Sequence, residues 1–406
     1  MPRFDAFRAL RYAPGTDLSK TCSPPYDVLS TDEAARLRAS DPRNITILDV
    51  PEGQDPARYD RAGQALGRWR DEGVLVLDDA PSFTIYRMAF TDQTGAHRQI
   101  AGVLGALEVV DEGAGGVLPH ERTTPKASTD RLDLTRATKT NMSAVWGLSL
   151  AAGLTDALAA AGEPVGELEA EGVVHTVERV TDPARIALIS EIIGSDDVLI
   201  ADGHHRYGVA RQYRDEVRRA TGRTDTDAEL TMTFVGELTP SQLSIEAIHR
   251  LYSGVTLEQL RAKLAGSFDI APAPAPTPGM LAEMVNSGRL VLLAPDGTAE
   301  WLAPKPGAFE GVRALDGAYL EHALAGLDAT VSYQNGLQET VAAVSGTGSM
   351  LGTEAAAGGV TAGVLIRPTS IDEILRTARE GLLMPPKSTF FTPKPRTGLV
   401  VRPLAV

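Results

Sequence analysis

His204, His205 and Arg206 follow directly on Asp202-Gly203 and a short apolar run, Val198 to Ala201. The run has the length of a buried strand, and the dozen residues after Arg206 have helical spacing. Asp202 and Gly203 therefore fall in the turn between them. A helix start exposes backbone N–H groups and carries a partial positive charge. Imidazole and guanidinium groups placed there suit a phosphate or a carboxylate. The plainer reading is an ordinary strand–turn–helix with solvated polar groups.

Two other stretches concentrate polar chemistry. Residues 117–148, VLPHERTTPKASTDRLDLTRATKTNMSAVWGL, begin as a loop stiffened by Pro119 and Pro125 and turn helical from about Asp130. His120 beside Glu121 offers a proton-transfer pair or half of a metal site. Lys126 and Arg131 can hold phosphate oxygens, and Asn141 is a candidate substrate contact. The tail, MPPKSTFFTPKPRTGLVVRPL, sets Lys387, Ser388, Thr389, Lys394 and Arg396 between prolines. It is expected to fold back and supply cations to an anionic ligand, or to dock its last strand, Leu399 to Val401, on a sheet edge. Pro24-Pro25 would hold Tyr26 and Asp27 at a fixed place. His249-Arg250, after an apolar run, are further candidates for substrate binding.

The elements that must position these groups are legible as follows. Residues 44–50, 83–90, 99–110, 197–201 and 230–238 read as strands of one sheet. Asp55 to Asp71 reads as an amphipathic helix, and Val173 to Val180 as a further strand. The helix after Arg206 should run to Ala220, with Gly222 as its stop. Residues 271–278, APAPAPTP, read as a stiff spacer. Arg289 to Leu302 reads as a hairpin around Asp296-Gly297, and Val360 to Ile366 as a strand. Ser370 should cap the next helix, with Glu373 completing a capping box. The fold class is α/β to α+β with mixed sheets. The expected division is a main domain over 1–265, a Pro-rich linker over 266–280 and a smaller α+β part over 281–406.

The chain has 406 residues, enough for two or three domains, and a formal charge of −14. That charge argues against a broad nucleic-acid-binding face. No apolar run approaches the ~18–20 residues of a membrane span, and the N-terminus lacks an apolar signal region. Cys22 is the one cysteine. A cytoplasmic protein is expected, with Cys22 more often inert than nucleophilic.

In combination, PPYDVLS, the 117–148 stretch, IADGHHRYGVA, IHR at 248–250, IRPTSIDEI and MPPKSTFFTPKPRTGLV resemble the family called domain of unknown function 1015. A shorter likeness is also present: ADGHHRY resembles the strand–turn–helix of the ParB and sulfiredoxin superfamily, which includes free serine kinases and nucleotide-hydrolysing ParB proteins. That resemblance implies a ParB-like unit embedded near 197–220, with Asp202, Gly203, His204, His205 and Arg206 holding phosphate or assisting its transfer. It also implies ATP or ADP and Mg²⁺. The chain departs from the ParB box at His205, where the box has arginine. A histidine stands in place of the sulfiredoxin cysteine, which weighs against sulfinic-acid reduction. The serine kinases' catalytic glutamate has no aligned match, which leaves Glu121 or Asp27 for that role.

The reading that follows is a phosphotransferase, a nucleotide-dependent kinase of free serine or a similar hydroxy amino acid. A phosphoserine phosphatase would use the same parts in reverse. A nucleotide-binding regulator of the ParB kind would need a helix-turn-helix and a basic face, and the sequence offers neither. A scaffold protein has little need of three Pro-stiffened polar clusters.

Overall fold

The computed structural model describes residues 1–92, 95–119, 128–347, 359–384 and 387–405. His120, Glu121 and Lys126 lie outside the described residues.

The chain is a mixed α/β protein built on two large sheets. The first has nine strands. In order across the sheet these are Val117–Pro119, Val198–Asp202, Val145–Ser149, Leu230–Glu237, His97–Glu108, Phe83–Thr91, Val173–Val180 and Glu163–Ala170, with Phe4–Asp5 also paired to His97–Glu108. Two pairings are parallel, Val198–Asp202 with Val117–Pro119 and Leu230–Glu237 with Val145–Ser149. The others are antiparallel.

The run Val198 to Ala201 is apolar throughout because this sheet is covered on both faces. Val198 and Ile200 pack with Leu154, Leu158, Ile189 and Ile193 from two helices. Leu199 and Ala201 face the opposite core, with Trp146, Phe234 and Phe391. Trp146 is almost fully buried, its ring centroid 5.6 Å from Phe234 and 5.7 Å from Phe391. Phe391 belongs to the tail, so the tail is part of the core.

The second sheet has six antiparallel strands, in the order Phe268–Ala273, Ala299–Pro304, Leu290–Leu293, Ala362–Leu365, Ile248–Ser253 and Thr330–Asn335. The hairpin around Asp296-Gly297 is present. The Pro-rich stretch is not a free spacer. Ala271 to Ala273 finish an edge strand, and Pro278 opens the Pro278–Ser287 helix. An edge strand tolerates Pro272 because one side of it needs no N–H donor, and the first helical position tolerates Pro278 for a similar reason. The second sheet thus takes strands from both sides of 266–280.

Two other local expectations are corrected. Residues 44–50 do not join the first sheet; Thr46–Asp49 is a short helix. The Asn44 side chain accepts from the Thr46 N–H at 3.0 Å and donates to the Lys20 carbonyl at 2.6 Å, which turns the chain where a strand would extend. Ser370 does cap its helix by accepting from the Glu373 N–H. The Glu373 carboxylate, however, turns to Arg313 and Arg376 at 2.9 and 2.6 Å.

Candidate functional site

The strand Val198–Asp202 carries a bulge where it meets Val145–Ser149: Ile200 pairs with Gly147, and Asp202 with Trp146. Two residues there oppose one, which re-aims the strand end. Asp202 emerges from the sheet and Gly203 follows at φ +84°. A Cβ at Gly203 would lie 3.0 Å from Arg206 Nε, so glycine is required both for its backbone angle and for the close approach of the guanidinium. The helix runs from His204 to Thr221, with Gly222 left-handed at its end and, among the described residues, no side chain capping its start. It packs against the Ser128–Thr138 helix through Leu132, Val209, Tyr213 and Val217.

Arg206 is the hub. Its Nη2 donates to Asp202 at 2.8 Å and to Asp27 at 3.1 Å, and its Nη1 donates to the Ala144 carbonyl. Its Nε is buried and has no partner among the described residues. Lys394, from the tail, donates to the other oxygen of Asp202 at 3.0 Å. Asp202 is therefore clamped between two cations. Burial raises its pKa, but Lys394 and Arg206 outweigh that and hold it well below the usual carboxylate range, with His204 acting in the same direction. Such a carboxylate is a poor base and a good holder of cations.

Tyr26 lies between two guanidiniums, Arg131 at 4.1 Å and Arg206 at 5.9 Å from its ring centroid. Arg131, expected to hold phosphate, spends its donors on protein. It donates to the Asp49 carbonyl at 2.7 Å, to the Asp49 carboxylate at 3.1 Å and to Asp130 at 2.7 Å. Asp49 is almost fully buried and also accepts from Ser143 at 3.1 Å. Ser143 bonds in turn to Thr397 of the tail at 3.1 Å. Tyr26, Asp49, Arg131, Asn141, Ser143 and Arg206 share one cleft. Asn141 accepts there from the Met232 N–H at 3.0 Å.

The structure thus brings together Tyr26, Asp27, Arg131, Asn141, Asp202, Gly203, His204, His205, Arg206 and Lys394. It places the remaining described candidates elsewhere. His249 and Arg250 are buried in the second sheet, where His249 Nδ1 accepts from the Ile366 N–H at 3.2 Å. Arg250 donates to the Lys387 carbonyl at 3.2 Å and lies 4.6 Å over the Tyr333 ring. Lys387, Ser388 and Thr389 belong to the segment that packs on this sheet; the Ser388 carbonyl accepts from Thr369 at 3.0 Å. Cys22 is buried, and burial pushes its thiol up to about 12, which leaves no thiolate for catalysis. Sequence reasoning missed Asp49 and Ser143. Asp49 was hidden inside a segment read as a strand.

Two further groups fix a pH response. Burial, aided by Arg396, pushes His175 down to about 4, and burial, aided by Arg250, pushes His249 down to about 3. In the unfolded chain each protonates near pH ~6.5. Their contribution to stability is thus complete above that pH and is lost as pH falls toward the folded values, with a slope approaching ~1.4 kcal/mol per pH unit for each. Urea unfolding between pH 7 and 4.5 should show this slope, and His175→Gln and His249→Gln should each flatten it. Two variants as steep as the parent would contradict it.

Gly203→Ala should cost ~1–2 kcal/mol from its left-handed backbone alone. It should also displace Arg206, whose Nε sits against the position a Cβ would take. Urea unfolding checks the stability loss, and an unaltered stability would mean that the turn carries no strain.

The chain belongs to the family described as protein of unknown function, DUF1015, whose model matches residues 4–318. Solved structures similar to it include a free serine kinase in complex with AMP, 10% identical, covering 68% of this chain and 84% of that one, with a TM-score of 0.36. SbnI with a C-terminal truncation, from Staphylococcus aureus, is 14% identical, covering 74% of this chain and 87% of that one, with a TM-score of 0.36. A conserved hypothetical protein from Pyrococcus furiosus is 10% identical, covering 68% and 87%, with a TM-score of 0.35. No curated protein matches the chain. Among the described residues, no helix is long and apolar enough to cross a membrane.

Proposed function

We propose that the protein is a nucleotide-dependent phosphotransferase acting on free serine or a similar hydroxy amino acid. The observation that carries this reading is the cluster at the start of the His204–Thr221 helix. Two cations, Arg206 and Lys394, meet on Asp202, and the buried Nε of Arg206, packed against Gly203, has no partner among the described residues. An orphaned buried donor costs free energy until it finds an acceptor. A phosphate oxygen at the helix start is such an acceptor.

Phosphoryl transfer needs charge stabilisation and positioning more than covalent help. The acceptor hydroxyl oxygen bonds to the terminal phosphorus, the P–O bond to the rest of the nucleotide breaks, and the hydroxyl proton passes to a carboxylate. Asp27, exposed on the rim beside Arg206, is our assignment for that carboxylate. Mg²⁺ commonly takes one or two carboxylates together with substrate phosphates. Asp202 fits that limited demand, Asp27 being kept for the proton. Among the described residues no three metal-ligating side chains gather, so the nucleotide itself must supply most of the oxygens.

Purified protein with ATP or ADP, Mg²⁺ and a panel of amino acids should yield a phospho-amino acid, serine first, read by mass spectrometry. No turnover of any hydroxy amino acid in either direction would remove this reading.

A further inference from the structure

Lys394 also lines a second cleft. This cleft lies where the two sheets meet, with a volume of about 530 Å³. Its walls come from separate parts of the chain: Glu171 and His175 from the first sheet's margin, Glu339 from the helix after the last strand of the second, and Phe390, Lys394 and Arg396 from the tail.

The donor pattern in this cleft is specific. The Tyr86 hydroxyl accepts from the Arg396 N–H at 3.0 Å and shares a 2.7 Å hydrogen bond with His175 Nδ1. The other ring nitrogen, His175 Nε2, is buried and has no partner among the described residues, in a side chain only 1% exposed. Beside it stands Arg396, whose ion pair among the described residues is with Glu171 at 3.3 Å, a carboxylate 74% exposed. An exposed partner of that kind contributes little and is readily exchanged. A buried imidazole nitrogen without a described partner, a guanidinium and an ammonium thus share one cleft, with carboxylates on its rim.

We infer that this cleft holds the acceptor amino acid, with its α-carboxylate on Arg396 and Lys394, its α-ammonium toward Glu171 and Glu339, and its hydroxyl end toward the Lys394–Asp202 pair. Lys394 then serves as the partition between the acceptor and the phosphate site around Arg206. The inference rests on the proposed phosphotransferase reading for the identity of the ligand.

The test separates the two. Calorimetric titration without nucleotide should show binding of L-serine, L-alanine and glycine, which share the two charged groups, and none of ethanolamine, which lacks the carboxylate. Arg396→Gln should weaken L-serine about tenfold or more, as loss of a charge-assisted contact does, with AMP affinity unchanged. Arg396→Lys should recover part of the loss, and Glu339→Gln, at an exposed position, should weaken L-serine about threefold, on the order expected of a weak surface contact. Thermal melts confirm folding of each variant. Loss of AMP binding with L-serine unaffected would overturn the assignment, as would ethanolamine binding as well as serine. If serine binds through Arg396 and no phosphoryl transfer occurs, the cleft assignment stands and the kinase reading falls. If transfer occurs with the Arg396→Gln KM unaltered, the reverse holds.

Discussion

Arg206→Ala is expected, on the proposed phosphotransferase reading, to weaken AMP binding at least ~10-fold and to destabilise the fold together. The binding loss follows from removing a charge-assisted donor at the helix start. The stability loss follows from what stays behind. Asp202 retains Lys394, but Asp27 loses its partner and the Ala144 carbonyl loses its donor. Breaking a fully buried ion pair commonly costs ~3–5 kcal/mol; Asp202 is 25% and Asp27 37% exposed and Lys394 is retained, so this loss falls below that range. Arg206→Lys separates the effects. It keeps the charge near Asp202, so part of the stability returns, but a single ammonium cannot reach Asp202, Asp27 and Ala144 in one fork. Calorimetric titration and urea unfolding measure the two quantities. Wild-type AMP affinity in Arg206→Ala would remove the helix start from the site.

Arg131→Met should produce the largest stability change of any substitution near the cleft. Asp49 is 1% exposed and would keep only Ser143 as a side-chain donor. An uncompensated buried carboxylate puts the loss at ~3–5 kcal/mol. Burial already raises the Asp49 pKa, and Arg131 opposes that rise. Without Arg131 the folded pKa moves higher still. A carboxyl raised in the fold loses stability as pH climbs above its unfolded value, near ~3.9. The deficit should therefore shrink on acidification. The double variant Asp49→Asn with Arg131→Met should recover most of it, since removing both charges leaves no buried ion. A single-variant loss under ~1 kcal/mol would show that water reaches Asp49.

What the sequence disclosed was local. The strand ending at Asp202, the turn at Gly203 and the helix stopped by Gly222 all follow from residues within a few positions of one another. The paired strands at Phe83–Thr91, His97–Glu108 and Leu230–Glu237 follow from alternation and length. What stayed hidden was either short or distant. Seven residues from Asn44 to Val50 cannot reveal their period, and Asn44 decided the matter through hydrogen bonds to its neighbours and to Lys20. Arg131 looked available for phosphate because its partner Asp49 is 82 residues away. His249 and Arg250 resemble site residues in the linear chain, yet they are buried among second-sheet partners. Buried polar groups and catalytic ones share the same residue types, and only packing separates them.

Lys394 meets Asp202 across almost half the length of the chain, and Thr397 meets Ser143 across 254 residues. Synthesis runs from the N-terminus, so the helix start, its aspartate and its arginine are all made long before the lysine that completes them. A nascent chain that has not yet reached Phe391 lacks both that cation and the ring that packs on Trp146. Contacts of such long sequence separation form slowly. The anion site proposed at the helix start is therefore completed late, together with closure of the core.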